Sequence, residues 1–172
     1  PRWRVSGTVE ARQGLDVLGA TDRCVTCLIQ PSRVPGTAQG TVLRASGLIE
    51  YRPVPKVAFT LAPRMQYSSD PLFAFEEFSA GNYTAGRGYD PGTLVGDSGA
   101  GFQAEVRAGS VYPRTLDSFA LQPFIFFDAA WVWNNDDGLR GSESLYSVGG
   151  GVRGTVGDRV RVDVALAFPV SR

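Results

Sequence analysis

Polar and apolar residues alternate along most of the chain. From residue 2 to residue 12, Trp3, Val5, Gly7, Val9 and Ala11 interleave with Arg2, Arg4, Ser6, Thr8, Glu10 and Arg12. A period of two predicts a strand with one apolar and one wet face. The pattern returns around 39–52, where Leu43, Ala45, Gly47, Ile49 and Tyr51 oppose Arg44, Ser46, Glu50 and Arg52, and again at 55–68, 98–109, 143–156 and 159–170. Residues 118–133 are apolar on both faces except near Gln122 and Asp128, and a short strand is expected near 76–82. The spacing thus predicts an all-β, antiparallel meander of about eight strands, with no helical stripe in any window. Gly157-Asp158 and Arg52-Pro53-Val54-Pro55 read as tight turns. Three longer connections fall at about 14–38, 82–97 and 134–142.

Alternation also fits a soluble sandwich, so two further details decide. The strands are long, and their polar faces carry full charges near mid-strand: Glu10, Arg44, Arg64, Glu105, Arg153, Arg161 and Asp163. The apolar faces are modest in size, with aromatics toward the strand ends: Trp3, Tyr51, Tyr67, Phe119, Trp131, Trp133 and Phe168. A membrane barrel accounts for both, through a wet lumen and interfacial aromatic girdles. A sandwich would need shorter strands and no loop folded inside.

Composition narrows the chemistry. Seventeen basic residues balance seventeen acidic ones among 172, which gives no global charge to attract nucleic acid. The chain has no histidine, which removes Ser-His-Asp and Cys-His nucleophile systems and most zinc sites. No enzyme activity, cofactor or metal is expected, and a barrel lipase is disfavoured for want of a paired nucleophile and base. The chain begins at Pro1 without a methionine or signal peptide and ends at Ser171-Arg172 directly after a predicted strand. It is therefore expected to be a piece of a longer protein.

Gly86-Arg87-Gly88-Tyr89-Asp90-Pro91-Gly92, followed by Gly96-Asp97-Ser98-Gly99-Ala100, resembles the signature loop of two-partner secretion transporters (TpsB). These belong to the outer-membrane superfamily that also contains the barrel-assembly protein BamA. The approach Ser69-Asp70-Pro71-Leu72 through Glu77-Phe78-Ser79-Ala80-Gly81 resembles the same family, and Phe126, Asp128 and Ala130 match its F-x-D-x-G strand with Ala130 in place of the last glycine. Gly86 stands where the family has an aliphatic residue. Arg12-Gln13-Gly14-Leu15-Asp16 and Val148 through Arg153 also fit, so the resemblance covers the chain in family order.

The resemblance implies that residues 1–172 form the C-terminal half of a sixteen-stranded outer-membrane barrel, numbered as its eighth to fifteenth strands. The POTRA domains, the first strands and the terminal strand would be absent. It implies a bacterial outer-membrane protein in a lipid bilayer that exports a partner polypeptide, haemolysin-like or adhesin-like, with no nucleic-acid partner. The alternative within the superfamily is an outer-membrane protein assembly insertase. A soluble β-sandwich binding module is the reading from outside it.

The resemblance also places Arg87 of the in-folded loop against Asp128. The residues themselves fit that role. Asp128 shares strand parity with Ala120, Gln122, Phe124 and Phe126, whereas Phe119, Leu121, Ile125, Phe127, Trp131 and Trp133 occupy the other face. Asp128 is thus expected to point into the lumen, with Phe124 and Phe126 as an aromatic patch around the loop. An arginine fork suits a carboxylate by two charge-assisted bonds. Gly86 and Gly88 permit close backbone approach, and Tyr89 adds packing at the tip.

Other candidates have plainer readings. Cys24-Val25-Thr26-Cys27 lies in a loop without a thioredoxin-like context, so a loop disulfide or two free thiols is expected. Asn134-Asn135-Asp136-Asp137-Gly138 lacks the spaced ligands and closing glutamate of a calcium loop. Gly149-Gly150-Gly151 precedes no helix and is expected to admit another segment to the lumen wall or to accommodate strand curvature. Arg44, Arg64, Arg107, Arg153 and Arg161 are expected to line the lumen. Phe168 is expected to face outward, and no assembly-signal role is assigned to it.

Overall fold

The structure is a computed structural model. It describes residues 2–15, 17, 32–82, 84–113, 115, 118–135, 141–157 and 159–171. Cys24, Cys27, Asp136, Asp137 and Gly138, singled out in the sequence, lie outside them.

Seven long strands form one antiparallel sheet: β1 (Trp3–Gln13), β2 (Thr41–Val54), β3 (Val57–Ser68), β6 (Ser98–Ala108), β7 (Phe119–Trp133), β8 (Ser142–Val156) and β9 (Val160–Ser171). Each pairs with the next in that order. Two short strands, β4 (Phe78–Ala80) and β5 (Leu94–Gly96), pair only with each other. The expected strand near 76–82 therefore exists, but it belongs to a small hairpin inside the connection between β3 and β6 and adds nothing to the wall. Three residues cannot cross a bilayer, whereas the seven wall strands, with 11 to 15 residues each, meet the roughly 9–11 that a tilted barrel strand requires.

The register fixes which residues share a face. Asp128 lies opposite Gln103 on one side and Ser147 on the other, and the next inward rung joins Glu105, Phe126 and Gly149. Prolines sit inside four wall strands, Pro53 in β2, Pro63 in β3, Pro123 in β7 and Pro169 in β9. Pro123 pairs with Val152, and Pro63 pairs with Phe102 on β6, where its missing N–H interrupts nothing in the face pattern.

The two faces are inverted relative to a soluble sheet. Outward Ile125 is 65% exposed and Leu166 is 68% exposed, while inward Asp128 is fully buried at 0%. A sandwich hides its apolar face against a second sheet. Here the apolar face is bare, while the polar face is buried at its centre beneath the β3–β6 connection and open along β1 and β9, a pattern that suits a lipid-facing wall. Aromatic rings band the outer face. Trp3 stacks on Tyr51 at 4.3 Å, and Tyr51 on Phe59 at 6.4 Å, beside the turn at Pro55-Lys56. At the other end Trp131 meets Tyr146 edge-on at 5.8 Å and donates to its hydroxyl at 3.1 Å. Phe102 and Phe127 extend this second cluster to mid-strand, 5.9 Å apart, further from the end than the sequence pattern indicated.

Connections sort by end. The β2–β3 and β8–β9 turns are tight, and the β6–β7 connection lies at the same end. The β1–β2, β3–β6 and β7–β8 connections lie at the opposite end, and the β3–β6 segment folds back over the inner face.

Candidate functional site

The β3–β6 connection is anchored at its base. The Ser68 amide donates to Ser98 Oγ at 3.0 Å, and Ser98 Oγ donates back to the Ser68 carbonyl at 3.3 Å. Phe78, Ala80, Ala85 and Leu94 then bury themselves against Ala130, Val132 and Leu145 of the wall, with Tyr89 packed beside them. Apolar burial thus holds the body of the loop, and it leaves the tip to polar contacts.

At the tip, Asp128 collects five donors. The Gly86 and Arg87 amides donate to Oδ2 at 3.3 and 2.9 Å. Arg87 Nε donates to Oδ2 at 3.0 Å and Nη2 to Oδ1 at 2.8 Å, which is the bidentate fork expected from the residue types. Ser147 Oγ completes the set at 3.4 Å. A fully buried carboxylate is costly unless its lone pairs are filled, and these donors fill them. Gly86 is in the left-handed region at φ +112°, and a Cβ there would come within 2.5 Å of Leu145. Both the turn and the wall therefore require glycine.

Arg87 does not act alone. Its Nη1 donates to Glu105 Oε2 at 3.2 Å, and Arg153 grips the same carboxylate at 2.6 and 2.9 Å. The Arg87 guanidinium lies 3.6 Å from the centre of the Phe126 ring, and that of Arg153 lies 4.0 Å from Phe124. The two rings are themselves stacked at 6.4 Å. Cation–π contact and the shared carboxylate thus arrange two arginines side by side without repulsion winning. The rings lie over Gly149 and Gly151, where a Cβ would approach Phe126 to 2.4 Å and Phe124 to 2.9 Å. The segment admitted by the glycines is therefore the neighbouring strand's aromatic pair, which leaves the loop to contact the wall elsewhere.

One such contact is at Gly88. A Cβ on Gly88 would sit 2.7 Å from the Phe168 carbonyl carbon and 2.8 Å from the Pro169 nitrogen, so the loop tip rests on the backbone of β9. Gly88→Val should push the tip away from β9. Increased protease cleavage within 82–97, with the sheet still folded, is the expected result.

The structure brings together every residue named for the site: Arg87, Asp128, Gly86, Gly88, Tyr89, Phe124 and Phe126. It adds Glu105 and Ser147. Glu105 was visible as an inward mid-strand charge, but its two partners lie 18 and 48 residues away. The lumen arginines are mostly engaged: Arg44 with Glu76 at 2.7 Å, Arg64 over the Phe78 ring at 4.6 Å, and Arg107 with Glu50.

A second buried cluster was not anticipated. Asp97, 0% exposed, accepts from the Leu72 amide and the Asn135 amide, each at 2.7 Å, and pairs with Arg33. Arg33 also pairs with Glu77 at 2.9 Å. Burial pushes the Glu77 carboxyl up, against the pull of Arg33 and with the neighbouring Asp97 adding to the rise. This clasp ties all three long connections together at one end of the sheet. Its only sequence signal is a charge immediately before β6, in a stretch read as loop motif.

The seven-strand wall with an arginine loop held on its polar face is the fold of part of a β-barrel. The chain belongs to the haemolysin secretion/activation protein family ShlB/FhaC/HecB, whose pattern it matches over residues 1–154. Its fold is similar to that of CdiB from Escherichia coli, with a TM-score of 0.75, at 17% identity and over 97% of this chain. The chain spans 30% of the length of CdiB. No curated protein is matched by the sequence.

Proposed function

We propose that the chain is the C-terminal part of an outer-membrane barrel that exports a partner polypeptide, and that its Arg-Gly-Tyr loop is a releasable obstruction in the pore. The observation that carries this reading is the way the tip is held. Ion pairs and hydrogen bonds fasten it to the polar face, and such contacts can be exchanged for water as the loop leaves. The exported partner, haemolysin-like or adhesin-like, would pass as an extended chain along the inward face. Lipid would cover the bare outer face, and the end with tight turns would face the periplasm.

A reversible tether tests the role of the loop. A Cβ built on Gly101 lies 3.1 Å from the Cβ of Ala85, shorter than the roughly 3.5–4.5 Å across a disulfide, so a small outward shift of the loop admits the bridge. In the whole transporter, with Cys24 and Cys27 replaced by serine, Ala85→Cys with Gly101→Cys should stop export when oxidised and restore it on reduction. Undiminished export by fully oxidised protein would sink the proposal.

A further inference from the structure

The chain is neutral overall, yet its inner face is not. A recess of about 450 Å³ opens at the tight-turn end. Among the described residues it is lined by six cations, Arg4, Arg52, Lys56, Arg107, Arg153 and Arg161, against one lining carboxylate, Glu50. Glu50 holds both Arg52, at 2.7 Å, and Arg107. Arg153 is paired with Glu105 and Arg161 with Asp163. Among the described residues six cations thus face three carboxylates, Glu50, Glu105 and Asp163, and the surplus is positive. Among the described residues, the side chains of Arg4 and Lys56 have no ion-pair partner, and both are exposed to the recess. At the opposite end of the same face, the recess beside β4 is balanced, with Arg44 and Arg64 against Glu10 and Glu77.

We infer that this recess is a binding site for an acidic stretch of extended polypeptide, at the mouth through which the exported chain enters. The inference rests on the translocator reading above and adds the chemistry of the segment first engaged. A cleft lined with one sign of charge focuses its field and concentrates oppositely charged ligands. Extended chain suits the site, because a row of carboxylates can meet cations from β1, the β2–β3 turn, β6, β8 and β9 in succession. The loop-tip pair Arg87–Asp128 is internally neutral, so the attraction ends where the obstruction begins. Weak, multiple contacts of this kind hold a segment without trapping it.

Planar-bilayer recordings on the whole transporter test the site with oligoglutamate and oligolysine peptides of equal length, added to the tight-turn side. Oligoglutamate should reduce the current at about 0.1 M salt, and oligolysine should not. The block should largely vanish near 1 M, where screening shortens the reach of charge to about 3 Å. Arg4→Glu with Lys56→Glu should weaken the block by about tenfold. Both side chains are exposed and outside the Arg87 network, so the sheet should still fold, and block is read as a fraction of each variant's own open current. Arg4→Lys should retain the block. Equal block by both peptides, or block unchanged by the double charge reversal, would overturn the inference. So would block by inorganic phosphate at equal charge concentration with none by oligoglutamate, which would mark a simple anion site. The tether experiment separates the two readings, because it reports on the loop whatever the recess binds.

Discussion

Arg87→Lys should free the loop tip from the wall while leaving the seven-strand sheet intact. Lysine keeps the positive charge but offers one ammonium in place of a fork. The bonds from Nε at 3.0 Å and Nη2 at 2.8 Å to the two oxygens of Asp128 cannot both be reproduced, and the bond to Glu105 is lost with them. The flat stack on Phe126 goes as well. Charge-assisted bonds contribute about 1.5–3 kcal/mol each, and the Gly86 and Arg87 amides still reach Asp128. A net loss of roughly 2–3 kcal/mol would lower the docked population by about 30–150-fold. Asp128→Asn should be as severe, since it removes the charge that five donors converge on. Protease accessibility of 82–97 in the folded protein reads the docked population directly. Wild-type protection in Arg87→Lys would show that the apolar contacts of Phe78, Ala85 and Leu94 suffice.

The second large effect is expected at Asp97, which the sequence marked as a motif residue without assigning it a partner. Asp97→Ala leaves the Leu72 and Asn135 amides without their carboxylate and takes from Arg33 the fully buried one of its two carboxylate partners. Breaking a buried pair by removing one partner costs about 3–5 kcal/mol. The loss should appear as a lower temperature for the heat-induced shift in electrophoretic mobility that reports barrel unfolding. Glu77→Gln is the matched control. Burial already raises the Glu77 pKa, so its folded form favours the proton. Ionising Glu77 therefore detracts from stability as pH rises through its folded pKa, and glutamine removes that cost while losing one arginine bond. Its effect near neutral pH should be within about 1 kcal/mol. Equal destabilisation by both substitutions would contradict the central place given to Asp97.

The wall was legible in the sequence because a strand's side chains alternate whatever their partners are. Asp128 could be placed inward from Gln122, Phe124 and Phe126 alone, and β7 bears this out. The difference between about eight expected strands and seven in the wall has the same origin. Residues 78–80 alternate like a wall strand, and three residues cannot show whether their partner is the wall or residues 94–96. Partnerships were less accessible. Arg87 found Asp128 through resemblance, whereas Glu105 with Arg153 and Asp97 with Arg33 join residues 48 and 64 apart with no local pattern. Such pairs are set by which strands become neighbours, and alternation does not encode that.

The contact of Gly88 with Phe168 and Pro169 carries a consequence for the order of events during synthesis. The loop is made before β7, β8 and β9, yet its tip rests on all that they bring: Asp128 from the first, Leu145 and Ser147 from the second, and the backbone of the third. The segment translated earlier must wait for segments translated after it. Until β9 arrives the tip has no floor, and the seated loop becomes a record that the final described strand has been added.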